Sequence, residues 1–333
     1  MDLRFPDARG ADGASAALGT ISWSEANSGF PFREEVSGLA IDPSQTSVLF
    51  IASSGGCFKS VDGGSTWASM NNGLSNIDVY DVAIDPTGNA TAYVSTNAGV
   101  FKSTDGGQSW VSSSQGLSGD LHINSVAIDP SHTQTLYAAR DAGGVFKSVD
   151  AGGTWSPSGS GIPGAPLSVL SVAIDSAATS TLYAGTTYGC YKSTNSGGTW
   201  NEVNDGFTGS TVWAVAIDRK NPSILYAATD HGVFKTENAA LSWSSQNLGI
   251  PSESGLTLVL DVAIDPVNDM IVYAASGNSG LVATSNSGVN WQVSTLGIDH
   301  FGQVHSVVVD PTDDSVVYIG TDVGVYKGTY TGH

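Results

Sequence analysis

Seven tryptophans recur at one place in a repeated unit, and the seventh unit is divided between the two ends of the chain. Trp67, Trp110, Trp155, Trp200, Trp243 and Trp291 are each followed six residues later by glycine and an apolar residue: Gly73-Leu74, Gly116-Leu117, Gly161-Ile162, Gly206-Phe207, Gly249-Ile250 and Gly297-Ile298. The last unit begins near Ser306 and runs out at His333 without its tryptophan, and the missing piece stands at the other terminus as Trp23 with Gly29-Phe30. A linear stack has no reason to divide a unit in this way. A closed ring does, because the first segment then completes the last unit and locks the circle.

Each unit opens with a near copy of Val-Ala-Ile-Asp-Pro, and successive aspartates (Asp42, Asp85, Asp129, Asp175, Asp218, Asp265, Asp310) lie 43 to 47 residues apart. That is the period of four-stranded propeller blades. Within a unit the runs Val-Ala-Ile, Leu-Tyr-Ala-Ala, Gly-Val-Phe-Lys-Ser and the tryptophan segment read as short strands separated by turn residues, and no segment keeps a helical period. The expected fold is all-β: a seven-bladed β-propeller of four-stranded antiparallel blades, closed by the N-terminal strand. Residues 1–19 read as a tail and 20–333 as a single propeller, with blade seven made of 306–333 plus 20–36.

The turns before the tryptophans carry a family resemblance. Ser60-Val61-Asp62-Gly63-Gly64-Ser65-Thr66-Trp67 and Ser103-Thr104-Asp105-Gly106-Gly107-Gln108-Ser109-Trp110 resemble the Asp-box, or bacterial neuraminidase repeat, and Ser148 to Trp155 matches with Asp150. Ser193 to Trp200 has Asn195 in place of the aspartate, and Thr236 to Trp243 has Asn238 and lacks the glycines. Ser285 to Trp291 reads as a shortened box around Asn286, and blade seven has none. The resemblance covers residues 20–333 and implies a propeller like those of sialidases, xyloglucanases, sortilin-type receptors, photosystem assembly factors and lectins, so it speaks to fold more than to activity. A short Asp or Asn accepts hydrogen bonds from its own tight turn, and glycine supplies positive φ, so the box residues read as structural. The Ile-Asp-Pro aspartates recur in every blade and read as turn formers too.

Composition bounds the partners. A net charge of −19 and a pI near 4.3 disfavour nucleic acid and anionic membranes. No apolar run is long enough for membrane insertion. Six of the seven lysines are one-per-blade copies (Lys59, Lys102, Lys147, Lys192, Lys235, Lys327), with Ala283 at this place in blade six. Cys57 and Cys190 occupy a valine position in blades on opposite sides of the ring, too far apart for a disulfide. The acidic, Gly/Ser/Thr-rich, lysine-poor surface resembles that of secreted bacterial propellers, and residues 1–18 lack a signal peptide's basic start and apolar core. The expectation is a secreted or periplasmic monomer with no cofactor and no bound metal.

Function is sought where the repeats disagree. In propellers of this kind the ligand face is built by the loops leading into the innermost strands and the loops between second and third strands. One column there reads Glu35, Asp78, His122, Ser168, Thr211, Leu258, Gln303; two residues on, another reads Ser37, Tyr80, Asn124, Leu170, Trp213, Leu260, His305. The second loops contribute Asn97, Arg140, Asp141, Tyr188, Asp230, His231, Asn278 and Asp322, and the loop before blade seven adds Asp299, His300 and Phe301.

Trp213 is the one tryptophan outside the repeat position, with Tyr188, Asp230 and His231 expected beside it. Two readings stand: an aromatic platform stacking on a ligand, or a plug packed in the channel. The candidate binding residues are Trp213, Tyr188, His231, Asp230, Arg140, His305, His300 and Phe301. With five arginines, of which only Arg140 and Arg33 can face the site, a sialidase carboxylate clamp is excluded. Asp230, Asp322 and Asp141, with Glu35, Asp78 and Glu253 nearby, leave a two-carboxylate hydrolase open. Tyr80, His122 and Arg140 leave a polysaccharide lyase open. Against these carbohydrate-active readings stands a binding module for a glycan or protein partner, favoured by weakly diverged blades and by the lack of a catalytic signature.

Overall fold

The computed structural model describes residues 20–31, 34–88, 90–207, 209–252, 255, 257–294 and 302–331. They form seven four-stranded antiparallel sheets. Six use consecutive strands, such as Val79–Ile84, Ala92–Thr96, Gly99–Ser103 and Val111–Ser112 of blade two. The seventh uses Val304–Val309, Val316–Thr321 and Gly324–Thr331, then takes Thr20–Glu25 as its outer strand, with Thr20 opposite Thr331 and Trp23 opposite Gly328. The divided unit closes the ring, as its sequence requires.

The tryptophan–glycine spacing is the seam between blades. Trp110 of blade two donates its backbone N–H to Asn72 O (2.9 Å) and its indole Nε1–H to Met70 O (2.7 Å), both at the outer end of blade one. Trp67, Trp155, Trp200 and Trp243 repeat the two bonds. The glycine lies against the next blade's tryptophan: a Cβ on Gly116, at φ +92°, would stand 2.1 Å from Trp155 O. Only glycine fits both the backbone angle and the approach. At the closure, Trp67 binds Ser28 O and Ala26 O of the N-terminal segment, and the Trp23 indole donates to Ser294 O of blade six.

The boxes are self-satisfied turns. Asp105 Oδ1 accepts from Ser109 N (2.9 Å) and Ser103 Oγ (2.8 Å), and Oδ2 from Ser109 Oγ. These bonds, the Ser109 hydroxyl first, hold the Asp105 carboxyl down to about 2, and Asp62 and Asp150 likewise. Asn195 makes the same acceptor bonds in blade four, from Thr199 N and Ser193 Oγ. Blade six departs from the sequence reading. Its box is full length and begins at Thr284, whose Oγ1 donates to Asn286 Oδ1 (2.7 Å) while Asn290 N donates to the same oxygen. Threonine does the work of the expected serine, which is why the turn looked short.

Beneath the boxes, Lys102 Nζ sits 5.4 Å from the Tyr93 ring centre and donates to Ala151 O in the next blade's box. Lys59, Lys147, Lys192 and Lys327 repeat the arrangement with their own ring and box carbonyl. The cysteines are buried free thiols, and burial pushes Cys190 up to about 12, so both are unreactive core fillers.

Every inner strand carries a bulge after its first residue, as between Val79 and Asp81. The unpaired residues are Ser37, Tyr80, Asn124, Leu170, Trp213, Leu260 and His305, so one of the two varied columns of the sequence is released from the ladder.

Gly116→Ala should destabilise the fold by about 2–4 kcal/mol in urea unfolding, because it combines a left-handed backbone with a backbone clash. Gly88→Ala, with nothing within 4 Å of its Cβ, should change stability by less than about 0.5 kcal/mol. Equal losses would remove the seam's special status. Asp62, Asp105 and Asp150 have folded pKa values below the unfolded one, so their contribution is present above pH 4 and is lost as pH falls toward 2. The variant Asp62→Asn/Asp105→Asn/Asp150→Asn should therefore melt below wild type at pH 7 and approach it as pH falls from 4 to 2, followed by circular dichroism.

Candidate functional site

At the edge opposite the boxes, the paired loops of six blades are bonded backbone to backbone. Asp141 N donates to His122 O (3.0 Å), Asp322 N to Gln303 O (3.2 Å) and Asp230 N to Thr211 O (3.3 Å). The two sequence columns thus form one rim around the channel.

A polar arc crosses blades seven, one, two and three. His305, largely buried, has Nε2 2.6 Å from Asp322 Oδ1 and Nδ1 3.9 Å from Glu35 Oε1. Asp322 also accepts the Gln303 N–H (2.9 Å), which fixes the loop carrying it. Tyr80 Oη donates to Asp78 Oδ2 (2.9 Å), which also accepts from Asn97 Nδ2 (3.1 Å). Burial, then Asp78 and more weakly Glu35, push the Tyr80 phenol up to about 12. It is a protonated donor at neutral pH. The His122 ring stacks on Tyr80 at 4.7 Å and 10°.

The aromatic half of the rim lies on blades four and five. Trp213, released by its bulge, is 36% exposed, and Tyr188 is 62% exposed. Thr211, two residues before Trp213, reaches Thr187 O beside Tyr188. Tyr188, Glu202, Asp205 and Ser210 line a cleft of about 390 Å³ between these blades. Asp230 Oδ1 accepts Thr211 N (3.0 Å) and lies 2.8 Å from His231 Nδ1, which is 3.2 Å from Ser210 Oγ.

The remaining candidates are placed differently. Arg140 donates to Ser118 O and Gly143 O and lies over the Phe146 ring (4.7 Å), so it fastens the wall of blade three. Asp141 stays half-buried on that loop, with its backbone tied to His122. His300, Phe301, Asp299, Glu253 and Arg33 lie outside the described residues.

Two features escaped the sequence reading. Asp81 and Asp261 follow the bulge residues in blades two and six, and each carboxylate binds its own next N–H and an N–H of the adjacent blade: Asp81 with Val82 and Val126, Asp261 with Val262 and Val307. They are partly open to the lumen, yet the surrounding strands desolvate them, and burial pushes Asp261 up to about 7. The signal was a column reading Gly38, Asp81, Ser125, Ser171, Ala214, Asp261, Ser306. At the box edge the channel opens into an apolar mouth of about 710 Å³, ringed by Ile41, Ile84, Ile128, Ile174, Ile217 and Ile264. Among the described residues, no three His, Cys, Asp or Glu side chains stand where they could hold a metal ion together.

Known structures share this architecture. The GH74 xyloglucanase from Xanthomonas campestris superposes with a TM-score of 0.75 at 16% identity, over 93% of this chain and 54% of that one. The chain thus spans about half the xyloglucanase's length. YCF48 from Cyanidioschyzon merolae superposes with a TM-score of 0.67 at 16% identity, over 92% of this chain and 98% of its own. YCF48 bound to D1 peptide gives 0.68 at 16% identity, over 95% and 100%. No curated protein sequence matches the chain. At such identities these structures speak to fold alone, but the sequence profile described as photosynthesis system II assembly factor YCF48 matches residues 31–325, and the chain belongs to that family.

Proposed function

We propose that this chain is a binding module acting outside the cytoplasm, and that its loop-rich rim receives a segment of a protein partner. The observation that carries this reading is the rim's division: exposed Trp213 and Tyr188 on one side, and on the other an arc of Glu35, Asp78 and Asp322. Aromatic anchors in a polar surround are the usual centres of protein recognition. A net negative arc rewards Lys or Arg side chains, whereas a neutral glycan gains little from it. The family and the neighbour bound to D1 peptide support a peptide partner. Neighbours that are extracellular domains, together with the acidic, lysine-poor composition, support the location.

Hydrolase and lyase readings find less support. Asp230 and Asp322 each accept a backbone N–H and contact a histidine of their own rim, Tyr80 is a protonated donor, and Arg140 is bound to carbonyls. These groups hold one another and the loops.

The test is fluorescence anisotropy with an array of basic, aromatic-containing peptides, beside affinity gels loaded with polysaccharides. Peptides carrying Arg or Lys next to an aromatic residue should bind, more weakly as salt rises. Trp213→Ala should weaken them by about tenfold or more, the scale of a hot-spot residue. Glu35→Gln should lower the salt dependence. Retardation by a polysaccharide without peptide binding would replace the reading with a lectin, and release of reducing ends would replace it with an enzyme.

A further inference from the structure

The box edge carries single exposed valines in blades one and three, Val61 and Val149, but gathers several apolar departures together at the junction of blades five and six. Where blades one to four have Asn72, Gln115, Ser160 and Asp205 before the seam glycine, blade five has Leu248. Where the boxes have Ser65, Gln108, Gly153 and Gly198, blades five and six have Leu241 and Val289. Where the second-strand approach has Ser47, Ala90, Gln134, Ser180, Ser223 and Ser315, blade six has Met270, and Val267 replaces Ser44, Thr87 or Ser131. All five apolar replacements are between 50% and 75% exposed.

They are neighbours. Leu248 O accepts the Trp291 N–H of the box that carries Val289, and Met270 O accepts Ser287 N of the same box. Elsewhere the Leu248 position touches the Val289 position directly, since Asn72 Nδ2 donates to Gln108 O. Lys220 Nζ donates to Val267 O, joining blade five to the patch. A groove of about 320 Å³ runs between the two boxes, bounded by Ser242 beside Leu241 at one end and Val289 at the other.

The repeat's internal bonds are also altered here. Lys235 turns to Glu237 (2.7 Å), while Tyr226 alone bonds the Ser287 carbonyl of the next box. In blade six Ala283 replaces the lysine, and Asp265 Oδ2, Tyr273 Oη and Trp291 Nε1 have no hydrogen-bond partner among the described residues. Of these, the Trp291 indole is the seam donor of this junction, and it lacks the carbonyl that its counterparts bond where the surface turns apolar.

We infer that the box edge of blades five and six docks a second protein, one presenting an apolar ridge rimmed by basic side chains. The ridge follows from Leu248, Val289 and Met270. The basic rim follows from half-buried Asp269 and from exposed Glu237, whose charge Lys235 shares, in a chain of net charge −19. A second copy fits poorly, because self-pairing would set acidic rim on acidic rim. This surface lies across the ring from the loop rim and is independent of it.

The repeat supplies its own control. In cells that produce the protein, p-benzoylphenylalanine is placed at Leu248 or at its blade-one equivalent Asn72, adducts are identified by mass spectrometry, and the captured protein is purified for titration. Light should join one basic-faced protein at position 248 and not at 72. The purified pair should then bind, and Leu248→Asn/Met270→Ser/Val289→Ser, which installs blade one's residues, should weaken binding at least tenfold with an unchanged melting temperature. Trp213→Ala should leave this binding intact. The inference fails if positions 72 and 248 capture the same proteins or none, if the only adduct is with the chain itself, or if the triple variant binds as well as wild type.

Discussion

The fold depends on one contact repeated around the ring: a tryptophan clamped by two carbonyls of the preceding blade, with that blade's glycine against its backbone. Blades of this size bury too little to be stable alone, so their stability lies in the interfaces. The indole supplies area and its N–H supplies register, because a blade shifted by one residue would strand a buried donor. Closure follows from the same contact. The N-terminal strand brings Trp23 to Ser294 O and offers Ser28, Ala26 and Gly29 to Trp67. Both ends of the ring are thereby joined by the kinds of bond that Trp110, Trp155, Trp200 and Trp243 make.

Periodic features were legible in the sequence because periodicity averages out local noise. Blade number, strand order, the split blade and the box turns all repeat, and each repeat tests the others. The site was legible only as columns. That Glu35, Tyr80 and His305 belong to adjacent blades was readable; that His305 lies between Asp322 and Glu35, and that His122 stacks on Tyr80, depends on side-chain directions set by the bulge. Arg140 was the least legible: its charge suggested the lumen, yet Phe146 and the Ser118 and Gly143 carbonyls hold it in the wall. Asp81 and Asp261 went unremarked because a carboxylate in a column of Ser, Gly and Ala has no motif. Only the ring shows that it can bridge two blades.

The two edges of the ring are free to vary to different degrees. At the rim, the bulge removes one residue per blade from the ladder, so substitution there costs no sheet hydrogen bond, and the column runs from Ser37 to Trp213. At the box edge, each turn is a closed set of bonds between serine or threonine, Asp or Asn, and backbone, and five lysines answer to the next blade's carbonyl. Change at one position therefore strands partners at another.

That difference in freedom sets the weight a divergence carries. Variety on the rim is what an unconstrained column would show in any case, so Trp213 and Tyr188 matter through their exposure and company rather than through being unlike their counterparts. On the box edge the background is closely repeated and coupled, and a departure carries a structural cost visible in the Trp291 indole N–H, which lacks the carbonyl its counterparts bond. Five apolar residues gathered at one blade junction, on the edge where change is most expensive, ask for a compensating contact that the monomer does not provide.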